Sequence, residues 1–329
     1  MGVHKNLGPK MTEKIDNYSI EKSEVLSLVV PVHNEEETIQ TFYDTLSALK
    51  DKVTATIEYH FVDDGSTDHT LSILRELANH DENVHYISFS RNFGKEAGLY
   101  AGLQQTTGQY VAVMDVDLQD PPELLPQMLQ DVQSGDYDAV GTRRADRSGE
   151  ARIRSWFSAQ FYVWMNKISE TQLVDGARDY RVMTRQMVNA ILSMSENQRF
   201  SKGIFSWVGF KTKYIPFENR ERVAGSTSWS FWSLSKYAIA GIVSFSTFPL
   251  TIITGLGFLS FGISLLSAAF IVIRALAYNN SVAGWPSMVT IILFIGGIQL
   301  LSLGVIGRYV AAIFLESKHR PIYITREEK

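Results

Sequence analysis

The chain has 329 residues, more than a typical single domain, and its composition excludes several classes of protein. Its 31 Lys and Arg residues stand against 35 Asp and Glu residues, a net charge of −4, which gives no argument for nucleic-acid binding. Cysteine is absent, which excludes disulfide bonds and thiolate ligands. Hydropathy divides the chain into two parts: residues 1–235 have the composition of a soluble α/β protein, whereas residues 236–315 are overwhelmingly apolar. The soluble part begins with a polar leader, 1–24, that is expected to be disordered.

Four apolar segments near the start of the chain predict the strands of a doubly wound parallel sheet. The predicted strands are Val25–Val32, 57–62, Val84–Phe89 and 110–114. Helices are predicted between them, ending near residues 49, 78 and 105, and Ser66 or Thr67 is expected to cap the second helix. In such sheets, ligands bind beyond the carboxyl ends of the strands.

Polar side chains follow each of these strands where it ends. They are Asn34 and Glu35, Asp63 and Asp64, Arg91 and Lys95, and Asp115 and Asp117. One such group alone is typical of a solvated loop, but four groups at one edge predict a ligand site. No GxGxxG fingerprint follows the first strand, and the Gly94-Lys95 pair lacks the other residues of a P-loop. A dinucleotide site and a P-loop are therefore excluded.

The segment YVAVMDVDLQDPPE, residues 110–123, supplies the acidic group. An isolated DxD is usually a solvated turn that precedes a helix. Asp115 and Asp117, however, are expected on one side of an extended chain, where both reach one ion, and Asp120 follows closely. Hard carboxylate oxygens without His or Cys favour Mg²⁺ or Mn²⁺.

The second half of the domain, which we place at residues 25–228, is rich in arginine. A predicted helix at 124–134 and a predicted strand at 137–142 precede Arg143. Residues 151–169 predict an aromatic-rich amphipathic helix that carries Arg154 near its start. That helix is typical of a membrane interface, although packing in a soluble core is an alternative. Residues 175–183 and 211–217 predict two further strands. Further basic residues that could hold a phosphate are Arg181, Arg199, Arg220 and Arg222, the last two in a polar segment that could equally be a plain linker.

Two uncharged segments, 248–273 and 284–306, are each long enough to cross a bilayer. The short loop between them predicts a hairpin at 248–315, preceded by a juxtamembrane helix at 229–247 and followed by a tail at 316–329. Lys236, Lys318, His319 and Arg320 outside the hairpin outnumber Arg274 in its loop, which predicts that the catalytic domain and the tail face the cytoplasm. A metal site fixed to a membrane in this way suits transfer between a soluble phosphate compound and a lipid phosphate.

Four motifs, in order, carry a resemblance to a known family. VVPVHNEEETI at 29–39, VDDGSTD at 62–68, RNFGKEAGL at 91–99 and MDVDLQDPPE at 114–123 resemble the family 2 glycosyltransferases, specifically the polyprenyl-phosphate glycosyltransferases. The likeness extends from about residue 25 to residue 329, and the two-helix tail resembles the bacterial branch. It implies a GT-A fold and an inverting, metal-dependent transfer of a sugar from a nucleotide sugar to undecaprenyl phosphate at the bacterial cytoplasmic membrane.

The resemblance also implies roles for individual residues. Donor-binding residues would be Pro31, Asn34, Glu35, Asp63, Asp64, Lys95 and Asp115. Asp117 would bind the metal with Asp115, and Gln119 or Asp120 would support it. Arg143 and Arg154 would hold the acceptor phosphate. The family motif GDFR is RDYR here, so Asp179 and Arg181 match while Arg178 replaces a glycine. Asp179 is expected to orient groups rather than act as a base, because a phosphate monoester is already ionised at neutral pH.

Several alternatives remain open from the sequence. The donor could be UDP-glucose, UDP-galactose, UDP-N-acetylglucosamine or GDP-mannose. A processive polysaccharide or glycolipid synthase is a second hypothesis, although the QxxRW motif of such enzymes is absent. A membrane scaffold with a vestigial sugar-binding rim is a third. Glycines in the hairpin are compatible with a homo-oligomer.

Overall fold

The structure, a computed structural model, describes residues 24–145, 165–169, 171–218, 241–278 and 284–329, with the single residues 160, 163 and 239. Its strands are β1 (Val25–Val32), β2 (Thr56–Asp63), β3 (Val84–Phe89), β4 (Tyr110–Val113), β5 (Ala139–Arg144), β6 (Ala177–Thr184), β7 (Thr212–Phe217) and β8 (Thr325–Glu328). Its helices are α1 (Ile39–Ser47), α2 (Thr70–His80), α3 (Lys95–Gln105), α4 (Leu125–Gln133), α5 (Arg185–Ser193), α6 (Ser201–Trp207), α7 (Phe248–Tyr278) and α8 (Trp285–Ser317).

The described strands form one sheet in the order β7-β5-β6-β4-β1-β2-β3-β8. The predicted parallel core is present, since β1 pairs in parallel with β2 and β4, and β2 with β3. Strands that the sequence did not assign a direction add antiparallel pairs, since β6 runs antiparallel between β4 and β5 and β8 runs antiparallel beside β3. The result is a mixed α/β sheet.

Apolar residues cover both faces of this sheet. One face packs against α1, α2 and α4 through residues such as Phe42, Leu74 and Met128. The other face packs against α3, α5 and α6 through residues such as Leu99 and Ile191. Burial on both faces explains the continuous apolar run of β1, which showed no alternation.

Several predicted boundaries differ from the structure. The strand expected at 137–142 lies two residues later, at Ala139–Arg144. The second helix begins at Thr70, whose amide donates to Asp68 Oδ1 at 3.0 Å, whereas Ser66 and Thr67 bond to Asn34 and do not cap the helix. The predicted amphipathic helix at 151–169 is described only at residue 160, residue 163 and 165–169. The predicted juxtamembrane helix at 229–247 is described as helical at residue 239 and 241–245.

Among the described residues, α7 and α8 are long and apolar enough to cross a membrane. Their large apolar side chains are exposed, and Phe258 and Leu266 are both 74% exposed. Exposed apolar surface of this extent needs a lipid or protein partner. Beyond α8 the predicted tail, residues 316–329, contains a strand, since the chain returns to the domain and pairs as β8 with β3.

Candidate active site

Strand register places the predicted site residues along one edge of the sheet. In the parallel pairs, Pro31 lies beside Val62 and Asp63 lies beside Ser88. The antiparallel pair β4–β6 sets Val113 opposite Arg181. Asp115 lies two residues after Val113 and Asp179 two residues before Arg181, so this antiparallel register brings Asp115 to the level of Asp179. Three acidic positions that are far apart in sequence therefore meet at the carboxyl edge of the parallel strands, as expected for a ligand site.

Asp63 is only 1% exposed, and its carboxylate organises the turn after β2. Its Oδ1 accepts a hydrogen bond from the Ser66 amide at 3.0 Å, and its Oδ2 accepts one from Ser88 Oγ at 2.7 Å. Gly65 in this turn has a φ of 66°, and a Cβ there would lie 2.4 Å from the backbone carbon of Arg91. The turn therefore requires glycine.

Asp64 connects that turn to the corner that begins α3. Its two oxygens accept hydrogen bonds from the Phe93 amide at 2.6 Å and the Gly94 amide at 2.9 Å. Burial raises the pKa of Asp64, although both amides favour the ionised form. Gly94, with a φ of 97°, is the residue that immediately precedes α3, so Asp64 fixes the position of the helix N-terminus and of Lys95.

The loop after β1 lies against the same turn. Asn34 has a φ of 55°, its amide donates to Ser66 Oγ at 2.9 Å, and its Oδ1 accepts from the Thr67 amide at 2.9 Å. The Glu35 amide donates to Thr70 Oγ1 at 2.8 Å. These bonds hold the first two predicted donor-binding motifs together.

Lys95 lies at the centre of the edge and bridges two carboxylates. Its Nζ is 2.7 Å from Asp115 Oδ1 and 2.5 Å from Asp179 Oδ2. Burial would raise the pKa of Asp179, but the charges of Lys95 and Lys202 hold it well below its ordinary value. Burial would likewise lower the pKa of Lys95, but both carboxylates raise it. Lys95 and Asp179 therefore remain charged at neutral pH, and Asp179 is a weak base.

The acidic turn after β4 differs from the extended chain that the sequence suggested. β4 ends at Val113, and Leu118 has a φ of 54°, so the alternation argument for Asp115 and Asp117 does not apply. Instead, the backbone turns so that the Gln119 amide donates to Asp117 Oδ1 at 3.2 Å.

Asp120 is 1% exposed and pairs with Arg178, whose Nε lies 2.8 Å from Asp120 Oδ1. Burial raises the pKa of Asp120, and Arg178 offsets part of that effect. The arginine that replaces the family's usual glycine therefore neutralises a buried carboxylate beneath the site. Sequence reasoning assigned Arg178 no role, and only its opposite charge offered a signal.

The acidic residues suit a divalent cation that is shared with a ligand. No group of three His, Cys, Asp or Glu side chains converges among the described residues. Mg²⁺, however, commonly uses one or two carboxylates and takes its remaining ligands from water and substrate phosphates. Asp115 and Asp117 offer such oxygens, and Asp120 Oδ2 is buried with no hydrogen-bond partner in the described part of the chain. The donor set fits Mg²⁺ or Mn²⁺ bound together with a diphosphate.

Two of the predicted phosphate-binding arginines, Arg181 and Arg199, are buried and bonded to the protein backbone. Arg181 is 2% exposed, donates to the backbone oxygens of Asp179 and Arg178 at 3.2 Å and 2.9 Å, and lies 3.7 Å from the centre of the Phe205 ring. Arg199 is 8% exposed and donates to the backbone oxygen of Met194. Both guanidinium groups are committed to the protein interior, which argues against a direct phosphate contact.

Of the other predicted arginines, Arg143 is exposed at the end of β5. Arg154, Arg220 and Arg222 lie outside the described residues.

The helical hairpin adjoins this edge through a short chain of contacts. Glu96, the residue after Lys95, accepts a hydrogen bond from the Ser201 amide at 3.0 Å. Phe200 packs on Phe245, with ring centres 6.0 Å apart, and two residues separate Phe245 from the start of α7. The carboxylate of Glu316, at the end of α8, accepts from the Asn197 amide at 2.8 Å.

The fold and the site define a class of protein: a mixed α/β domain with an acidic edge that is joined to two apolar helices. Comparisons with known proteins specify the class. The model of glycosyl transferase family 2 matches residues 27–193. The chain is 44% identical over 304 residues to a bactoprenol glucosyl transferase of Shigella phage SfV, covering 92% of this chain and 99% of the relative. It is 42% identical, with the same coverage, to a prophage bactoprenol glucosyl transferase homolog of Escherichia coli (strain K12).

Among solved structures, it is similar to glucosyl-3-phosphoglycerate synthase from Mycobacterium tuberculosis in complex with Mn²⁺, UDP and phosphoglyceric acid. The TM-score is 0.47 at 20% identity, and the match covers 67% of this chain and 76% of that one. The chain belongs to glycosyl transferase family 2, and its mixed sheet is the GT-A architecture expected of that family. A glycosyltransferase activity is therefore supported.

Proposed function

We propose that this protein transfers glucose from UDP-glucose to undecaprenyl phosphate at the cytoplasmic face of a bacterial membrane. The names of its relatives support both the sugar and the lipid, since two of them are bactoprenol glucosyl transferases or homologs. The observation that carries the proposal is the position of the Lys95 cluster. It lies one residue from Glu96, which contacts the segment at the base of the hairpin. A charged site at the root of two apolar helices suits a polar donor and a lipid acceptor.

The donor diphosphate would lie at the N-terminus of α3. The dipole of a helix N-terminus favours an anion, and Lys95 adds a positive charge there. Asp115 and Asp117 would hold the divalent cation, which neutralises charge on the departing diphosphate. The nucleoside would lie along Pro31, Asn34 and the Asp63 turn.

The acceptor needs no strong base. The second pKa of a phosphate monoester is about 6, so the lipid phosphate is largely dianionic at neutral pH. One of its oxygens would attack the anomeric carbon from the face opposite UDP, forming the new C–O bond as the bond to UDP breaks. Because Asp179 is held ionised by Lys95, its role would be to fix that lysine and orient the reacting groups. Arg143 and Arg154 are the arginines that we propose for the acceptor phosphate.

The course of the chain supports a hairpin with both ends on one side. Since β8 pairs with β3 after α8, the chain returns to the domain that it left before α7. Together with the basic residues Lys318 and Arg320, this supports a cytoplasmic catalytic domain. A homo-oligomer through the hairpin remains part of the proposal.

A donor screen tests the function. Purified protein, undecaprenyl phosphate and Mn²⁺ are incubated with radiolabelled UDP-glucose, UDP-galactose, UDP-N-acetylglucosamine or GDP-mannose, and label is counted in the organic phase. We expect label from UDP-glucose alone, abolished by EDTA. Label from GDP-mannose would favour a mannose transferase, a growing polymer would favour a processive synthase, and no transfer from any donor would favour a scaffold.

Asp117→Ala should abolish this transfer in a protein that remains folded in detergent. The matched control is Asp136→Ala, which removes an exposed carboxylate in the turn between α4 and β5, at the opposite edge of the sheet. Wild-type turnover by the Asp117 variant would refute the metal role, and equal loss in the Asp136 variant would show that the assay reports general damage.

A further inference from the structure

The residues that follow α8 form a segment, residues 321–329, that the proposed chemistry does not use. α8 ends at Ser317, and His319 then adopts a φ of 46°, which turns the chain back towards the domain. We call residues 321–329 the returning segment. Its strand β8 covers the β3 edge of the sheet. Just beyond β8, the Tyr86 amide donates to the Lys329 oxygen at 3.0 Å and the Lys329 amide donates to the Tyr86 oxygen at 2.9 Å.

The start of the returning segment contacts the strand end that leads into the site. The Ser90 amide donates to the Ile324 oxygen at 2.9 Å. The Tyr323 ring stacks on Phe89 with ring centres 4.9 Å apart and planes 21° apart, and its hydroxyl donates to Gln104 on α3 at 3.0 Å. Tyr323 is therefore packed between β3 and the helix that carries Lys95.

A second aromatic contact continues towards the site. Phe89 meets Phe93 edge to face, with centres 5.8 Å apart, and the Arg91 guanidinium lies 3.8 Å from the centre of the Phe93 ring. The amide of Phe93 is one of the two that bind Asp64. Three aromatic rings in contact thus connect the returning segment to the corner, residues 93–95, that presents Lys95.

We propose that Tyr323 is a positioning residue for the nucleotide-diphosphate site. By packing against Phe89, it fixes Phe93 and hence the two amides that hold Asp64 and the start of α3. The membrane hairpin would in this way be coupled to donor binding, because the segment that follows its second helix supports the donor site. The identity of the ligand rests on the proposed function, whereas the coupling does not.

The test compares Tyr323→Ala with two controls in the full-length protein. Tyr323→Phe keeps the ring and loses only the hydroxyl. Glu327→Ala removes a contact elsewhere in the returning segment, a two-point ion pair with Arg75 at 2.7 Å and 2.6 Å. If Tyr323→Ala does not fold, Tyr323→Leu retains apolar volume without the stacking and takes its place.

Hydrogen exchange in the ligand-free protein is the first readout. We expect the Phe93 and Gly94 amides to exchange several-fold faster in Tyr323→Ala, and at the wild-type rate in Tyr323→Phe and Glu327→Ala. Unchanged exchange in Tyr323→Ala would overturn the proposal. So would equal acceleration in Glu327→Ala, because the effect would then be a general loosening of the segment.

Calorimetric binding of UDP with Mn²⁺ is the second readout. Loss of one aromatic contact should weaken UDP binding about threefold to tenfold. The KM for the nucleotide sugar should rise by the same factor, while kcat at saturating donor stays within about twofold. A fall in kcat with unchanged KM would refute a positioning role at the donor site. If wild-type protein bound no UDP while the exchange difference persisted, the proposed donor would be wrong and the coupling would stand.

Discussion

Replacing Lys95 by Met would leave Asp115 and Asp179 close together without the cation that bridges them. Removing one partner of a fully buried ion pair costs about 3–5 kcal/mol. The side chains here are 34%, 23% and 17% exposed for Lys95, Asp115 and Asp179, so solvent screens part of the effect. We therefore expect a loss of about 2 kcal/mol, which for a domain of this size lowers Tm by about 4–8 °C.

The loss should also depend on pH. In the wild type the pKa of Asp179 lies well below its ordinary value of 3.8, so the stability that it contributes is present above pH 4 and is lost as pH falls further. Without Lys95, burial would raise that pKa, and the folded variant would take up a proton as pH falls from 8 towards 4. The difference in Tm between wild type and variant should therefore be greatest at pH 8 and narrow at pH 4.5.

The assay is thermal unfolding in detergent, followed by tryptophan fluorescence at the two pH values. Lys213→Met is the matched control, because Lys213 is 35% exposed and forms a single ion pair with Asp131 at 2.7 Å. Lys213→Met should lower Tm less than Lys95→Met does. Its difference in Tm from wild type should be about the same at pH 8 and pH 4.5. A Tm for Lys95→Met within 1–2 °C of wild type, or the same loss at both pH values, would refute the reasoning.

Two further predictions concern buried charge. Arg178→Met should lower the free energy of unfolding by about 3 kcal/mol, because it leaves Asp120 buried without its partner. The double variant that also carries Asp120→Leu should recover most of this free energy, measured by urea titration. No recovery in the double variant would contradict the pairing. Burial, with smaller effects of the His85 and Arg185 charges, lowers the pKa of His60 to about 4. Because unfolded His60 takes up a proton near pH 6.5 and folded His60 does not, the stability that His60 contributes above pH 6.5 is lost as pH falls towards 4. His60→Phe should reduce the fall in unfolding free energy between pH 7 and pH 4.5 by about 2–3 kcal/mol, and an unchanged slope in urea titrations at the two pH values would exclude His60 as its source.

The parallel half of the sheet could be predicted from the sequence because local signals agreed there. The bounds of β1 and β3 match the predicted ones, and α3 ends at Gln105 as expected. In each case an apolar run is followed by a glycine- or acid-containing turn, so hydrophobic pattern and turn chemistry indicate the same boundary. The convergence of Asp63, Lys95 and Asp115 then followed from the rule for parallel strands.

Strand direction could not be predicted in the same way. The apolar pattern of β6 is the same whether the strand runs parallel or antiparallel, and its pairing with β4 spans some 70 residues. The Asp120–Arg178 pair depends on that register, so neither residue alone indicated its partner. β8 was missed for another reason: TREE is an edge strand with little buried surface, and it carries no alternating apolar residues.

α3 explains how a membrane anchor and a polar site can act together. Its first residue, Lys95, binds both carboxylates of the site, and its second, Glu96, binds the start of α6. Further along, the Tyr100 ring lies 4.5 Å from the Arg199 guanidinium, and Gln104 accepts the Tyr323 hydroxyl. The same helix thus contacts the acidic edge and both chain segments that adjoin the hairpin. In the proposed reaction the lipid phosphate would stay at the membrane surface, so the proposed donor site would have to be fixed relative to α7 and α8 for attack in line with the leaving group. Contacts along α3 provide that constraint without requiring the two apolar helices to touch the substrate.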